Sequence, residues 1–279
     1  ADAFQVYEGL DLLTAKPGKE LRGRVRHHLI GEIPLSEKFD VGRYREMALA
    51  RVREIEGRGK RAIVVGGTGL YVRALVRGLA ELPGENAELR GKLERLSLAG
   101  LQEKYAGLDP VGFERIDRKN RRRLVRAIEV SILAGKPFSS LREDWGGGTG
   151  SVAGAIHGIV LERDRDDLYR RIDVRVRRMF ADGVIEEVRS ARDVGVTAGQ
   201  AIGYAEIRAH MEGKISVEEC MAAIRQRTRR YAKRQLTWLR GENNLFTINL
   251  TSTPHSQTAD EIVRRIVAGV EGGEFPKDV

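Results

Sequence analysis

The chain has 279 residues, 41% hydrophobic and 32% charged, a balance typical of a folded domain and unlike that of a disordered segment. No apolar run approaches the roughly 20 residues that cross a bilayer, which argues against a membrane protein, and a single cysteine excludes an intramolecular disulfide. The net charge of +9, from 49 basic and 40 acidic residues, is concentrated: residues 118–126 hold six basic and no acidic side chains, and residues 220–240 hold seven and none. The rest of the chain is net negative, so the excess favours a polyanion partner such as nucleic acid, with two solvated helical faces as the alternative. One cysteine and the lack of a secretion-signal pattern at the start point to a reducing cytoplasm.

In chain order, residues 41–58 carry apolar side chains near helical spacing and stop before Gly59. Residues 61–65 read as a short apolar strand that enters a glycine turn, followed by a helix over about 70–77. Residues 83–141 read as wholly helical. A further strand is expected over 156–161, after the glycine-rich linker at 146–150, so the helical stretch lies between two strands of an α/β sheet. Helices follow over 167–182, 185–193, 204–212 and 216–240; Ser216 with Glu219 three residues on has the spacing of a capping box. Residues 246–250 are expected as a final edge strand, and 271–279 as a frayed tail.

Several residues are candidates for chemistry. The Gly66-Gly67-Thr68-Gly69 turn would place backbone amides and a hydroxyl at a helix N-terminus, where an anion is favoured; a tight turn with Thr68 as helix cap is the equal alternative. It is not a Walker A loop, because Tyr71 and Val72 follow where that motif has its Lys and Ser or Thr. Asp2, taken bare, is a solvated terminal residue, and the Thr14-Ala15-Lys16-Pro17 segment reads as a surface loop. His27 and His28 lack further ligands at zinc spacing, so no metal site is expected there. Cys220 reads as a small core residue. Tyr204, after Gly203, is either a base-stacking side chain or a staple at a helix start.

Six segments, in this order, resemble the tRNA dimethylallyltransferases (tRNA isopentenyltransferases). They are Asp2–Tyr7 with Thr14–Pro17, Val65–Tyr71, Arg122–Glu129, Leu168–Ile172, Gln200–Tyr204 and Thr228–Arg240. The resemblance implies an α/β fold with a P-loop NTPase-like parallel sheet core, over residues 1–84 and 152–279, a helical insertion over 85–151, and a C-terminal helical tRNA-binding region. It implies transfer of a dimethylallyl group from dimethylallyl diphosphate to N6 of adenosine 37, in the anticodon loop of tRNAs that read codons beginning with U, with Mg²⁺ as cofactor. The expected partners are the tRNA anticodon stem-loop and dimethylallyl diphosphate, without a membrane, for a monomeric cytoplasmic chain.

On the same grounds, Asp2 matches the catalytic aspartate that takes a proton from the adenine amine, and Thr68 a catalytic threonine beside the leaving group. Gly66, Gly67, Thr68, Gly69, Arg171 and Arg175 are implied in diphosphate binding. Contacts with tRNA are implied for Asp2, Ala3, Phe4 and Gln5; for Arg90, Arg122, Arg123, Leu124, Val125 and Arg126; for Gln200, Ala201, Ile202, Gly203 and Tyr204; and for Arg229, Arg230, Lys233 and Arg234. Family members carry a strand, a P-loop and a helix before the aspartate segment, about one strand–helix unit of roughly thirty residues. The sequence starts at that aspartate, so impaired activity is expected. Leu13, Asn120 and Arg122 stand where the family usually has Gly, Asp and Gln. The alternative to the enzyme is an RNA-binding protein of the same fold without catalysis. A P-loop nucleotide kinase would share the sheet but would leave residues 200–204 and the arginine-rich last helix unexplained.

Overall fold

The computed structural model describes residues 1–143, 158–242 and 245–272. Its elements run α1 (Asp11–Thr14), α2 (Lys19–Arg24), α3 (Val41–Gly57), α4 (Gly69–Arg77), α5 (Ala87–Glu94), α6 (Leu98–Leu108), α7 (Pro110–Arg115), α8 (Arg121–Ala134) and α9 (Phe138–Glu143). After them come β1 (Gly158–Glu162), α10 (Arg165–Ala181), α11 (Val184–Ser190), a 3₁₀ turn (Ala198–Gln200), α12 (Tyr204–Met211), α13 (Val217–Leu239), β2 (Leu245–Asn249) and α14 (His255–Gly272). The chain divides into two compact units, one of Ala1–Val72 with Gly154–Val279 and one of Arg73–Ala153.

In the first unit β1 and β2 pair in parallel, Gly158 opposite Leu245 through Glu162 opposite Asn249. A parallel pair needs a long crossover, supplied here by α10 to α13. Ile172, Val176 and Met179 line one face of α10 at helical spacing and meet Val184 and Val188 of α11, Ile207 of α12, and Cys220 and Ile224 of α13. Leu10 and Leu13 of the N-terminal segment enter the same core, so α1 is anchored to the helical layer. The capping box at Ser216 and Glu219 forms, with reciprocal bonds of 2.8 and 3.1 Å. Cys220 is buried, as a small core residue should be.

In the second unit the start of each main helix is fixed by a side-chain cap. Asn86, Ser97, Asp109 and Asn120 accept from the amides of Leu89, Gly100, Gly112 and Arg123 at the heads of α5, α6, α7 and α8. Leu93, Leu101, Tyr105, Leu124 and Ile128 form the core between them. Among the described residues of this unit two carboxylates are buried, and both are fully engaged. Asp109 accepts from Gly112 N, Tyr105 Oη, and the amide and hydroxyl of Ser139. Glu129 accepts from Asn86 N at 2.9 Å, Arg90 Nη2 at 2.6 Å and Arg126 Nη1 at 2.8 Å.

Three expectations need correction. Residues 61–65 form no strand: they have no ladder partner among the described residues, and Ile63, Val64 and Val65 are 72%, 47% and 76% exposed. The apolar run has the composition of a buried strand, but a strand also needs a neighbour for its amides and carbonyls. Residues 255–272, which sequence periodicity did not single out, form α14, so Glu271 and Gly272 close a helix instead of opening a frayed tail. The Thr14–Pro17 segment is no free surface loop, because the Lys16 side chain is only 2% exposed. The glycine linker at 146–150, the start of the strand expected at 156 and the tail from 273 lie outside the described residues.

Burial, the largest influence on Glu129, pushes its pKa up; the hydrogen bonds from Arg126, Asn86 and Arg90 outweigh it and leave the carboxyl below its ordinary value. A depressed carboxyl pKa adds stability that is complete above the unfolded-state value and is lost as pH falls through the folded one. Thermal unfolding should therefore show wild type losing stability more steeply than Glu129→Gln as pH drops below about 4.3. Parallel acid profiles for the two would contradict this account of Glu129.

Candidate active site

The N-terminal segment is held as a set of turns by its own polar side chains. Asp2 Oδ1 accepts from Phe4 N at 2.8 Å and Gln5 N at 3.0 Å, which fixes the carboxylate while leaving Oδ2 without a bond among the described residues. Gln5 Nε2 donates to the carbonyls of Thr14 and Ala15, so this amide closes the end of α1. The buried Lys16 ammonium spends its donors on Tyr7 O, Gly9 O and Asp11 Oδ1. Glu187 of α11 accepts from Leu12 N at 2.8 Å and Leu13 N at 2.9 Å, satisfying the head of α1. Four residues could not hold a helix alone. Here both flanking residues, Leu10 and Ala15, sit in the left-handed region with φ of 51°.

The glycine turn lies directly against this segment. Thr68 N donates to Ala1 O at 3.3 Å, and Thr68 Oγ1 accepts from Ala3 N at 3.2 Å. The Thr68 hydroxyl does not cap α4; its carbonyl accepts from Tyr71 N and Val72 N instead. The third component is the last turns of α13, where Tyr231, Gln235 and Trp238 face the turn. A Cβ on Gly67 would stand 1.9 Å from Gln235 Nε2, and one on Gly69 2.6 Å from the Trp238 ring. The rigid Trp238 ring leaves no room for a side chain at Gly69, whereas the flexible end of Gln235 could yield to one at Gly67. Tyr231 Oη lies 3.5 Å from Thr68 Oγ1.

Arg175, on α10, is within electrostatic reach of Asp2. Desolvation lowers its pKa and the Asp2 charge partly offsets this. Solvent still reaches it, because it lines a cavity of about 660 Å³ between α10 and the residues 11–16 turn. Three other arginines of that wall are already paired: Arg170 and Arg171 with Asp167, and Arg178 with Asp182. Burial pushes Asp167 up, but Arg163, Arg170 and Arg171 prevail and bring it down to about 2. Arg175 has no ion-pair partner among the described residues, and Leu12, Val174 and Met179 give the same cavity apolar wall.

The other expected positions fall into two groups. Arg122 and Arg123 of α8 are exposed, whereas Leu124 and Val125 are buried in the core of the second unit. Arg90 and Arg126 hold Glu129, with Arg126 also donating to Pro83 O at 2.7 Å. Residues 200–204 make a tight corner. Ala201 is buried, and Ile202 and Tyr204 pack on the core. Gly203 has φ of 102°, and a Cβ there would stand 2.7 Å from Leu13 Cδ1. Tyr204 is thus a partly buried packing residue, and Gln200 donates to Val196 O.

On α13, Arg229 forms a two-pronged bond with Asp173 of α10, and its guanidinium lies over the Tyr169 ring. Arg227 pairs with Glu206, and Arg230, Lys233 and Arg234 are exposed. The roles of Lys16, Glu187, Tyr231, Gln235 and Trp238 were missed by sequence reasoning. Lys16, Tyr231, Gln235 and Trp238 fall within the matched segments at 14–17 and 228–240, and Glu187 lies in none of the matched segments.

The chain belongs to the IPP transferase family, whose pattern it matches over residues 5–242, and it is accordingly a prenyl-transferring enzyme. It is 41% identical over 256 residues to the tRNA dimethylallyltransferase of Geobacter metallireducens, covering 89% of this chain and 82% of the relative. To that of Geobacter sulfurreducens it is 43% identical over 248 residues, covering 86% and 79%. Among solved structures, the tRNA isopentenylpyrophosphate transferase of Bacillus halodurans superposes with a TM-score of 0.67 at 33% identity, over 97% of this chain and 86% of that one. A eukaryotic dimethylallyltransferase caught acting on tRNA superposes with a TM-score of 0.76 over 96% of this chain and 72% of that one, and at 23% identity shows the fold alone. These likenesses place the chain in the P-loop-like α/β fold class.

Gly69→Ala should force the rigid Trp238 indole aside and cost about 1–3 kcal/mol by overpacking. Chemical unfolding and Trp238 emission, read in a Trp145→Phe background, measure both effects. An unchanged midpoint and spectrum would mean that α13 does not press on the turn.

Proposed function

We propose that this chain transfers a dimethylallyl group from dimethylallyl diphosphate to N6 of adenosine 37 in tRNAs that read codons beginning with U. The observation that carries the reading is a fixed carboxylate with one open oxygen, Asp2, next in the chain to Ala3, whose amide bonds Thr68, with the solvent-facing Arg175 within electrostatic reach of Asp2. The adjoining cavity has apolar wall at Leu12, Val174 and Met179. Its carboxylates Asp11, Asp167 and Asp182 are paired with Lys16, Arg170, Arg171 and Arg178, and Arg175 is left as the cation for an anionic head.

The adenine amine is a weak nucleophile, and its base must leave the loop stack to be reached. N6 attacks the allylic carbon, and a nitrogen–carbon bond forms as the carbon–oxygen bond to the diphosphate breaks. The electron pair of that bond leaves with the diphosphate, and the N6 proton passes to Asp2 Oδ2. Asp2 is oriented for this by the Phe4 and Gln5 amides. Arg175 and the helix start at Gly69 offset the charge that grows on the leaving group, and Thr68 donates to it.

Mg²⁺ enters this reading as a companion of the diphosphate. The described residues hold no group of three or more acidic, histidine or cysteine side chains that would cage a metal, and no step above is routed through one. Magnesium commonly binds through phosphate oxygens, water and one or two carboxylates. For the tRNA partner, the solvent-exposed Arg230, Lys233 and Arg234 of α13 and Arg122 and Arg123 of α8 are the proposed phosphate contacts. A cytoplasmic reaction is part of this proposal, on the ground of its tRNA substrate.

Asp2→Asn keeps the shape and removes the base. It should lower single-turnover prenyl transfer by about 10²-fold with tRNA affinity within about twofold of wild type. Transfer at the wild-type rate by this variant would overturn the reading, and would leave the RNA-binding alternative to be judged on tRNA affinity alone.

A further inference from the structure

We propose that Tyr231 is a positioning residue for the transfer step: its hydroxyl donates to Thr68 Oγ1 and so turns the Thr68 proton toward the departing oxygen of the diphosphate. This rests on the reading of Thr68 as the leaving-group contact. A threonine hydroxyl has one proton and two lone pairs. One lone pair of Thr68 is taken by Ala3 N at 3.2 Å, and Tyr231 Oη stands 3.5 Å from the same oxygen. If Tyr231 fills the second lone pair, the single proton has one free direction left, away from both protein donors. If Thr68 instead donated to Tyr231, it would present a lone pair to an anionic ligand, which that ligand would repel.

The surroundings of Tyr231 keep it a donor. Burial raises the phenol pKa, opposed by the Thr68 contact, raised again by the Asp2 charge and lowered by Arg234 and Gln235, with a net upward shift. The ring is held by the Arg234 guanidinium 5.5 Å from its centroid, and the next helical turns, through Gln235 and Trp238, press on Gly67 and Gly69. The 3.5 Å separation is long for an O–H···O bond, as catalytic contacts often are before substrate binds. In the reaction, Tyr231 neither gains nor loses a proton. The carbon–oxygen electron pair goes to the diphosphate, Thr68 donates a hydrogen bond to it, and the N6 proton goes to Asp2.

The test is a double-mutant cycle of Tyr231→Phe and Thr68→Val, with kcat and KM for dimethylallyl diphosphate measured on a tRNA transcript. Tyr231→Phe keeps the ring and its packing. It should lower kcat about tenfold with KM within twofold, and should cause no further loss in the Thr68→Val background. A purely structural tyrosine would lower both backgrounds equally, and that additive result would overturn the proposal. So would wild-type turnover by Tyr231→Phe when Thr68→Val is slow. Wild-type turnover by Thr68→Val would instead sink the reading of Thr68 itself, and the proposal with it.

Discussion

The site depends on one close approach, that of α13 to the glycine turn. Gln235 and Trp238 occupy the space that side chains at 67 and 69 would need, and this contact holds Thr68 at the distance where Ala3 N and Tyr231 Oη both reach its hydroxyl. The turn in turn carries residues 1–3 through the Thr68 N to Ala1 O bond. A small displacement of α13 would therefore be felt at Asp2 through the turn. Asp2 is supported from the other side by Gln5, which ties it to α1, and α1 is secured by Lys16 and Glu187. With two left-handed residues flanking four helical ones, α1 holds its shape only because these polar anchors satisfy its ends.

The positive charge of the chain has two uses. Arg225 and Arg229 meet Asp173, Arg227 meets Glu206, and Arg90 and Arg126 close over Glu129. Arg90, Arg225, Arg227 and Arg229 join helix to helix within their units, whereas Arg126 lies on the same helix as Glu129 and reaches out to Pro83 O. Exposed basic side chains stand on α13 at Arg230, Lys233, Arg234 and Arg240, and on α8 at Arg123. Local density of basic residues in a sequence is thus an upper bound on the charge offered to a polyanion, because an unbroken basic run does not reveal which members have an acidic partner far along the chain.

Helices were the legible part of this fold. The spans around α3, α10 and α13 follow from apolar spacing, with side-chain caps at the heads of α3 and α13, which are local signals. The strand expected at 61–65 failed because pairing is non-local: an apolar run says nothing about whether a neighbour lies beside it. Lys16 was misread for a related reason. Its burial comes from carbonyls at positions 7 and 9 and from the curl of α1, which no pattern in Thr14–Pro17 discloses. At the site, Asp2 and Thr68 could be named from the matched segments, and the structure puts them a few residues apart in space. Leu13 pairs with Gly203, so the absence of glycine at 13 is accommodated by the glycine at 203. Tyr231 lies within the matched segment Thr228–Arg240, but its meaning lies in what it faces.

The most direct test of the account is nucleoside mass spectrometry of tRNA transcript incubated with this protein and dimethylallyl diphosphate. The account requires a dimethylallyl group on N6 of adenosine 37 in a transcript that reads codons beginning with U, with an unmodified adenosine in a transcript whose position 37 is guanosine. Tight tRNA binding with every adenosine left unmodified would contradict it.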